Sequence, residues 1–148
     1  MPEAESILLY LRTPRTLARK TLAQFAAQLR EQVAGGRQFH CLLTDDKELR
    51  RLNREFLGHD YATDVLSFPS AKNEPGLGEM AISIGRAREQ SAQLGHGIET
   101  EIEILMLHGL LHLAGMDHES DGGKMRRLET NWRKKLGLPA GLIERTKA

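Results

Sequence analysis

Apolar positions along the chain recur with two different periods, and the changes of period mark out strands and helices. Phe39, Cys41 and Leu43 alternate with Gln38, His40 and Leu42, which is the two-residue repeat of a strand. Met80, Ile82 and Ile84 repeat the pattern. Ile7 to Leu11, ended by Thr13-Pro14, and Asp64 to Phe68, halted by Pro69, complete a set of about four strands. Between them Leu17, Thr21, Leu22, Phe25, Leu29 and Val33 form one helical stripe over 15–34, closed by Gly35-Gly36. Asp45 with Glu48 caps a helix running to about Phe56, packed through Leu49 and Leu52. Further helices follow over 85–94 and through Met125, Leu128, Trp132 and Leu136, the last stopped by Gly137 and Pro139. The segments 58–62 and 70–78 read as loops.

One helix breaks the one-sided pattern. Ile102, Ile104, Leu105, Met106, Leu107, Leu110, Leu111 and Leu113 cover nearly every face, so this helix is buried all round. Thr100 with Glu103 reads as its capping box. Strands interleaved with helices predict an α/β (α+β) fold, with about four strands in one sheet and helices around it. The chemistry sits at the end of the buried helix.

His108 and His112 are four residues apart and therefore share a helix face. Gly115 follows where a helix can stop in a left-handed residue, and the reversal can return His118 toward the same point. A buried imidazole is costly unless its nitrogens find partners, and three at ligand spacing point to a metal. The spacing matches the H-E-x-x-H-x-x-G-x-x-H pattern of metzincin proteases except that Gly109 replaces the catalytic glutamate. Neutral imidazoles suit zinc, copper, iron and nickel, and three of them with one open position is the catalytic arrangement of zinc. One zinc ion per chain is the expectation. Asp117 is either a fourth ligand or a carboxylate that orients a ligand histidine, while Cys41 is distant and in a strand.

Bulk properties narrow the class. A chain of 148 residues is most economically one domain over 1–148. A net charge of +1 means that any nucleic-acid surface must be local. The single cysteine excludes a disulfide framework and fits a reducing cytoplasm. No apolar run is long enough to span a membrane, and Met1-Pro2-Glu3-Ala4-Glu5 does not read as a signal peptide. Lys124, Arg126, Arg127, Arg133, Lys134 and Lys135 against the one acid Glu129 form the densest basic stretch, either an RNA-backbone contact or a solvated face. Arg15, Arg19, Lys20 and Arg30 read as a solvated face in preference to an RNA contact.

Three separated blocks carry a resemblance. His108-Gly-Leu-Leu-His-Leu-Ala-Gly-Met-Asp-His118, Leu52–Phe56 leading to Thr63–Pro69, and Gly78–Ser83 together resemble the bacterial YbeY family. The resemblance implies a metal-dependent, single-strand-specific endoribonuclease of ribosomal RNA maturation and ribosome quality control. It implies ribosomal RNA and the small ribosomal subunit with its proteins as partners, and a mixed sheet with one antiparallel edge strand. Leu57 departs from the family, which usually has a functional arginine there. Arg54, one helical turn earlier, is either the substitute cation or a surface arginine, and His59 in the adjoining loop can carry a proton near neutral pH. Two other classes stay open. One is a different metallohydrolase, opposed by Gly109; the other is a ribosome-associated protein whose metal is structural, favoured by Leu57.

Overall fold

A computed structural model describes residues 7–71, 73–115 and 122–139. Four strands, β1 (Leu8–Tyr10), β2 (Phe39–Thr44), β3 (Val65–Pro69) and β4 (Gly78–Ser83), form one sheet in the order β1-β2-β4-β3. β1, β2 and β4 are parallel, and β3 runs antiparallel along the edge, paired from Val65–Ile82 to Pro69–Gly78. The expected mixed sheet and its antiparallel edge are both present.

Alternation sends the side chains of each strand to two cores. Leu8, Phe39, Cys41, Leu43, Met80 and Ile82 face the large core, with α1 (Arg19–Gln32) and α4 (Ile98–Leu113). Leu66 and Ala81 face the other way and pack on Leu49 of α2 (Asp46–Leu52). α4 is buried on every side, as its sequence requires, and α5 (Lys124–Leu136) packs on it through Met125. α3 (Ile84–Leu94) connects β4 to α4, with Ser83 accepting from the Arg86 N–H as its cap. That cap ends the strand at Ser83, so Ile84 is helical rather than the last strand residue.

Two further expectations change. α4 begins at Ile98 behind an extended Gly97 with no side-chain cap, so Thr100 lies inside the helix and forms no capping box. The nearby acids are engaged elsewhere: Glu99 accepts from the Ala18 N–H at 2.9 Å, and the fully buried Glu101 meets His96 at 2.8 Å. The second change is at the end of α2. The chain widens there into a π-helical turn, Asn53–Leu57, that closes on a left-handed Gly58. The Asn53 carbonyl accepts from Gly58 and His59, and its buried side chain donates to the Tyr61 carbonyl at 2.9 Å. Arg54 and Leu57 therefore lack the one-turn α-helical relation read from their spacing.

Candidate metal centre

The last turns of α4 bring His108 and His112 together. Their ring centroids are 4.8 Å apart with planes at 76°, the geometry that a four-residue helical separation gives. His108 is 6% exposed and His112 is half-buried. His108 Nδ1 lies 2.7 Å from Oε2 of Glu129, which is itself 1% exposed on α5. With the carboxylate accepting, Nδ1 carries the donated hydrogen, and Nε2 is the nitrogen with which His108 can hold a ligand.

Edge strand β3 supplies the opposite wall. Thr63, Asp64, Val65, Ser67, His108 and His112 line a groove of about 420 Å³. Ser67 Oγ donates to the Gly109 carbonyl at 3.1 Å, so strand and helix meet closely. Gly109 makes that approach possible. A Cβ on it would lie 2.8 Å from Met80 Sδ and 3.2 Å from Val65 Cγ2. The position that holds a glutamate in metzincins therefore points into the sheet, where a carboxylate could not serve the histidine pair. Asp64 is fixed beside the groove by Gln90 Nε2 at 3.2 Å and Thr63 Oγ at 3.4 Å.

The other sequence candidates lie elsewhere. His118 and Asp117 fall outside the described residues, and among those described no third His, Cys, Asp or Glu joins the pair in a metal cluster. Arg54 is exposed on the π-helical turn, 3.8 Å from Asp60. His59 tilts against Tyr61 with centroids 5.6 Å apart. Neither lines the groove, although their loop runs on into Thr63 and Asp64. Leu57 is 45% exposed on the same turn. Cys41 is buried at the centre of the sheet, and that burial pushes its thiol far up.

The residue that sequence reasoning overlooked is Glu129. Its signal was present: it stands four residues after Met125 and three before Trp132, on the apolar side of an otherwise cationic helix.

A family model described as endoribonuclease YbeY matches residues 7–137. An endoribonuclease YbeY of Solibacter usitatus is 58% identical over 147 residues, covering 99% of this chain and 98% of that protein. One from Koribacter versatilis is 46% identical over 130 residues, covering 88% and 85%. The solution structure of TM1509 from Thermotoga maritima superposes with a TM-score of 0.60 at 26% identity, over 87% of this chain and 88% of that one.

Proposed function

Because the chain belongs to the endoribonuclease YbeY family, and is thereby a hydrolase acting on RNA, we propose that it is a zinc-dependent, single-strand-specific nuclease of ribosomal RNA maturation and ribosome quality control. In this proposal it works in the cytoplasm as one domain, on RNA of the small ribosomal subunit and among its proteins. One ion per chain is held by His108, His112 and His118. A single observation carries the metal assignment: a buried histidine, paired with a second across one helix face, has its Nδ1 hydrogen bonded to a buried carboxylate. Metal-ligating histidines are oriented in this way. The donor set therefore fits a zinc ion.

A bound zinc ion would supply positive charge to a phosphoryl oxygen and lower the pKa of water. The chain's own residues bind and orient. No lysine or arginine lines the groove among the described residues, so cations outside it must hold the RNA backbone. The exposed side of α5 is assigned that role. Ser67 and Thr63 place hydroxyls along the groove, and Asp64 sets a fixed acceptor beside them. Arg54, matched to Asp60, is assigned no RNA contact, and His59, on the loop that leads into Thr63, is assigned the proton-carrying role. Gly109, packed against Met80, leaves no carboxylate at the position where metzincins hold their catalytic base.

The purified protein, with and without chelator, should be offered labelled single-stranded RNA, casein and a simple phosphodiester. RNA cleavage should disappear with chelator and return with zinc, while casein stays intact. Proteolysis would overturn the substrate class. Cleavage indifferent to chelator would overturn the metal, and a zinc-loaded protein that cuts no RNA would make the metal structural.

A further inference from the structure

We infer that Glu129 is a positioning residue for the metal centre: it fixes the tautomer and ring orientation of His108 and ties α5 to the site. The inference rests on the proposed zinc reading for its consequence, but the contact stands on its own. His108 Nδ1 and Glu129 Oε2 are 2.7 Å apart with side chains 7% and 1% exposed, so bulk water barely competes for the bond. A buried carboxylate is costly without partners, and α5 nevertheless places its one acid there, among six cations. Burial of Met125 on the preceding turn of α5 holds the acid in place.

Three consequences follow for the protein. In the metal-free state His108 carries its proton on Nδ1, which leaves Nε2 for the ion. Loss of the carboxylate lets the ring turn and the proton move, so zinc binds more weakly, by roughly 10- to 100-fold where such outer partners are removed. Zinc binding and the docking of α5 also reinforce one another, because both need the same ring orientation.

Long-range nitrogen–proton correlation spectra of the metal-free wild type should show the Nδ1–H form of His108. Zinc dissociation constants, measured by competition with a chromophoric chelator, should then be compared for wild type, Glu129→Gln and Glu129→Leu. Gln keeps the shape and an acceptor, so its affinity should fall by about tenfold, and Leu should lose about 100-fold. Zinc should also raise the melting temperature of wild type more than that of either variant. A purely structural glutamate would lower the melting temperature of the variants and leave their zinc affinity unchanged. An Nε2–H form in the wild type, or affinities of wild type and folded Glu129→Gln within twofold, would overturn the inference. If Glu129→Leu fails to fold, the wild-type tautomer and Glu129→Gln still decide it. Should the wild type bind no zinc, the zinc reading fails while the tautomer still tests the positioning.

Discussion

Two stretches of the chain are rich in basic side chains, and they dispose of the charge in opposite ways. On α2 and the π-helical turn, the arginines meet carboxylates: Arg50 reaches Asp60 at 2.8 Å, Arg51 reaches Glu48 and Glu55, and Arg54 lies 3.8 Å from Asp60. Arg50 in turn holds the Asp60 carboxyl below its ordinary range. On α5, Arg126, Arg127, Lys134 and Lys135 form no ion pair with any described residue, and Lys135 rests over Trp132. The one acid of α5 is turned inward onto His108. Counting charges along the sequence already ranks α5 first, with six basic residues against one acid, where α2 and the π-helical turn have four against three. Pairing separates them, because a cation already matched to a carboxylate gains little from exchanging it for a phosphate, whereas an unpaired one releases counterions when RNA arrives.

The strongest way to break this contrast is to neutralise α5. Replacing Arg126, Arg127, Lys134 and Lys135 with glutamine should weaken RNA binding by more than tenfold at moderate salt. The plot of log affinity against log salt should flatten by about three, roughly 0.7 for each lost phosphate contact on a single strand. The same change at Arg50, Arg51 and Arg54 should shift affinity by less than about twofold. Filter binding across a salt series measures both, and equal effects from the two sets would erase the distinction.

Leu57→Arg sharpens the contrast from the other side by adding an arginine, exposed and unmatched in charge, to the π-helical turn. RNA cleavage should rise by a few-fold, mainly in the catalytic step, with metal content unchanged, if a cation there acts on charge that develops in the transition state. Arg54→Ala should leave Asp60 bonded to Arg50 and change cleavage by less than a factor of about two. A severe loss in Arg54→Ala would instead identify Arg54 as the substitute cation. Single-turnover kinetics on a labelled RNA distinguish these cases.

The smallest effect comes from unmatched charge of the other sign, at the start of α4. Glu103 is half-buried, and desolvation, with Glu99 adding its negative charge, raises its carboxyl to about 7. A folded pKa above the ordinary 4.5 means that the folded state holds the proton more tightly. Its stabilising contribution is therefore complete below pH 4.5 and is lost as the pH rises to about 7. Glu103→Gln should remove that slope. The variant should match wild type at pH 4 and exceed it at pH 8 by about 1 kcal/mol, a figure reduced for the solvent that reaches the group. Parallel stability curves in thermal melts at the two pH values would contradict the assignment.

Much of this was legible from spacing alone. Alternation at Phe39, Cys41 and Leu43 located the central strand, and the all-round apolar stretch from Ile102 to Leu113 marked the buried helix. His108 and His112 share a face because four residues make one turn. Whatever depended on segments meeting across the fold was harder to see. Glu129 is 21 residues from His108, and only the packing of α5 on α4 joins them. The widened turn at Asn53 arises from a buried amide that binds the Tyr61 carbonyl, and no period of apolar residues reports that. Gly109 read as a missing base, whereas its place against Met80 and Val65 makes it a packing requirement. Thr100 with Glu103 looked like a capping box because such boxes are local, but the helix begins two residues earlier, at Ile98.

The most direct test of the metal centre is the zinc content of purified protein and of three single variants, His108→Ala, His112→Ala and His118→Ala. Elemental analysis should give about one zinc per chain for wild type, as three ligands with one open position require, and far less for each variant. The thermal stability of the variants should fall in parallel, since a bound ion favours the folded state. Undiminished zinc in all three variants would contradict the account.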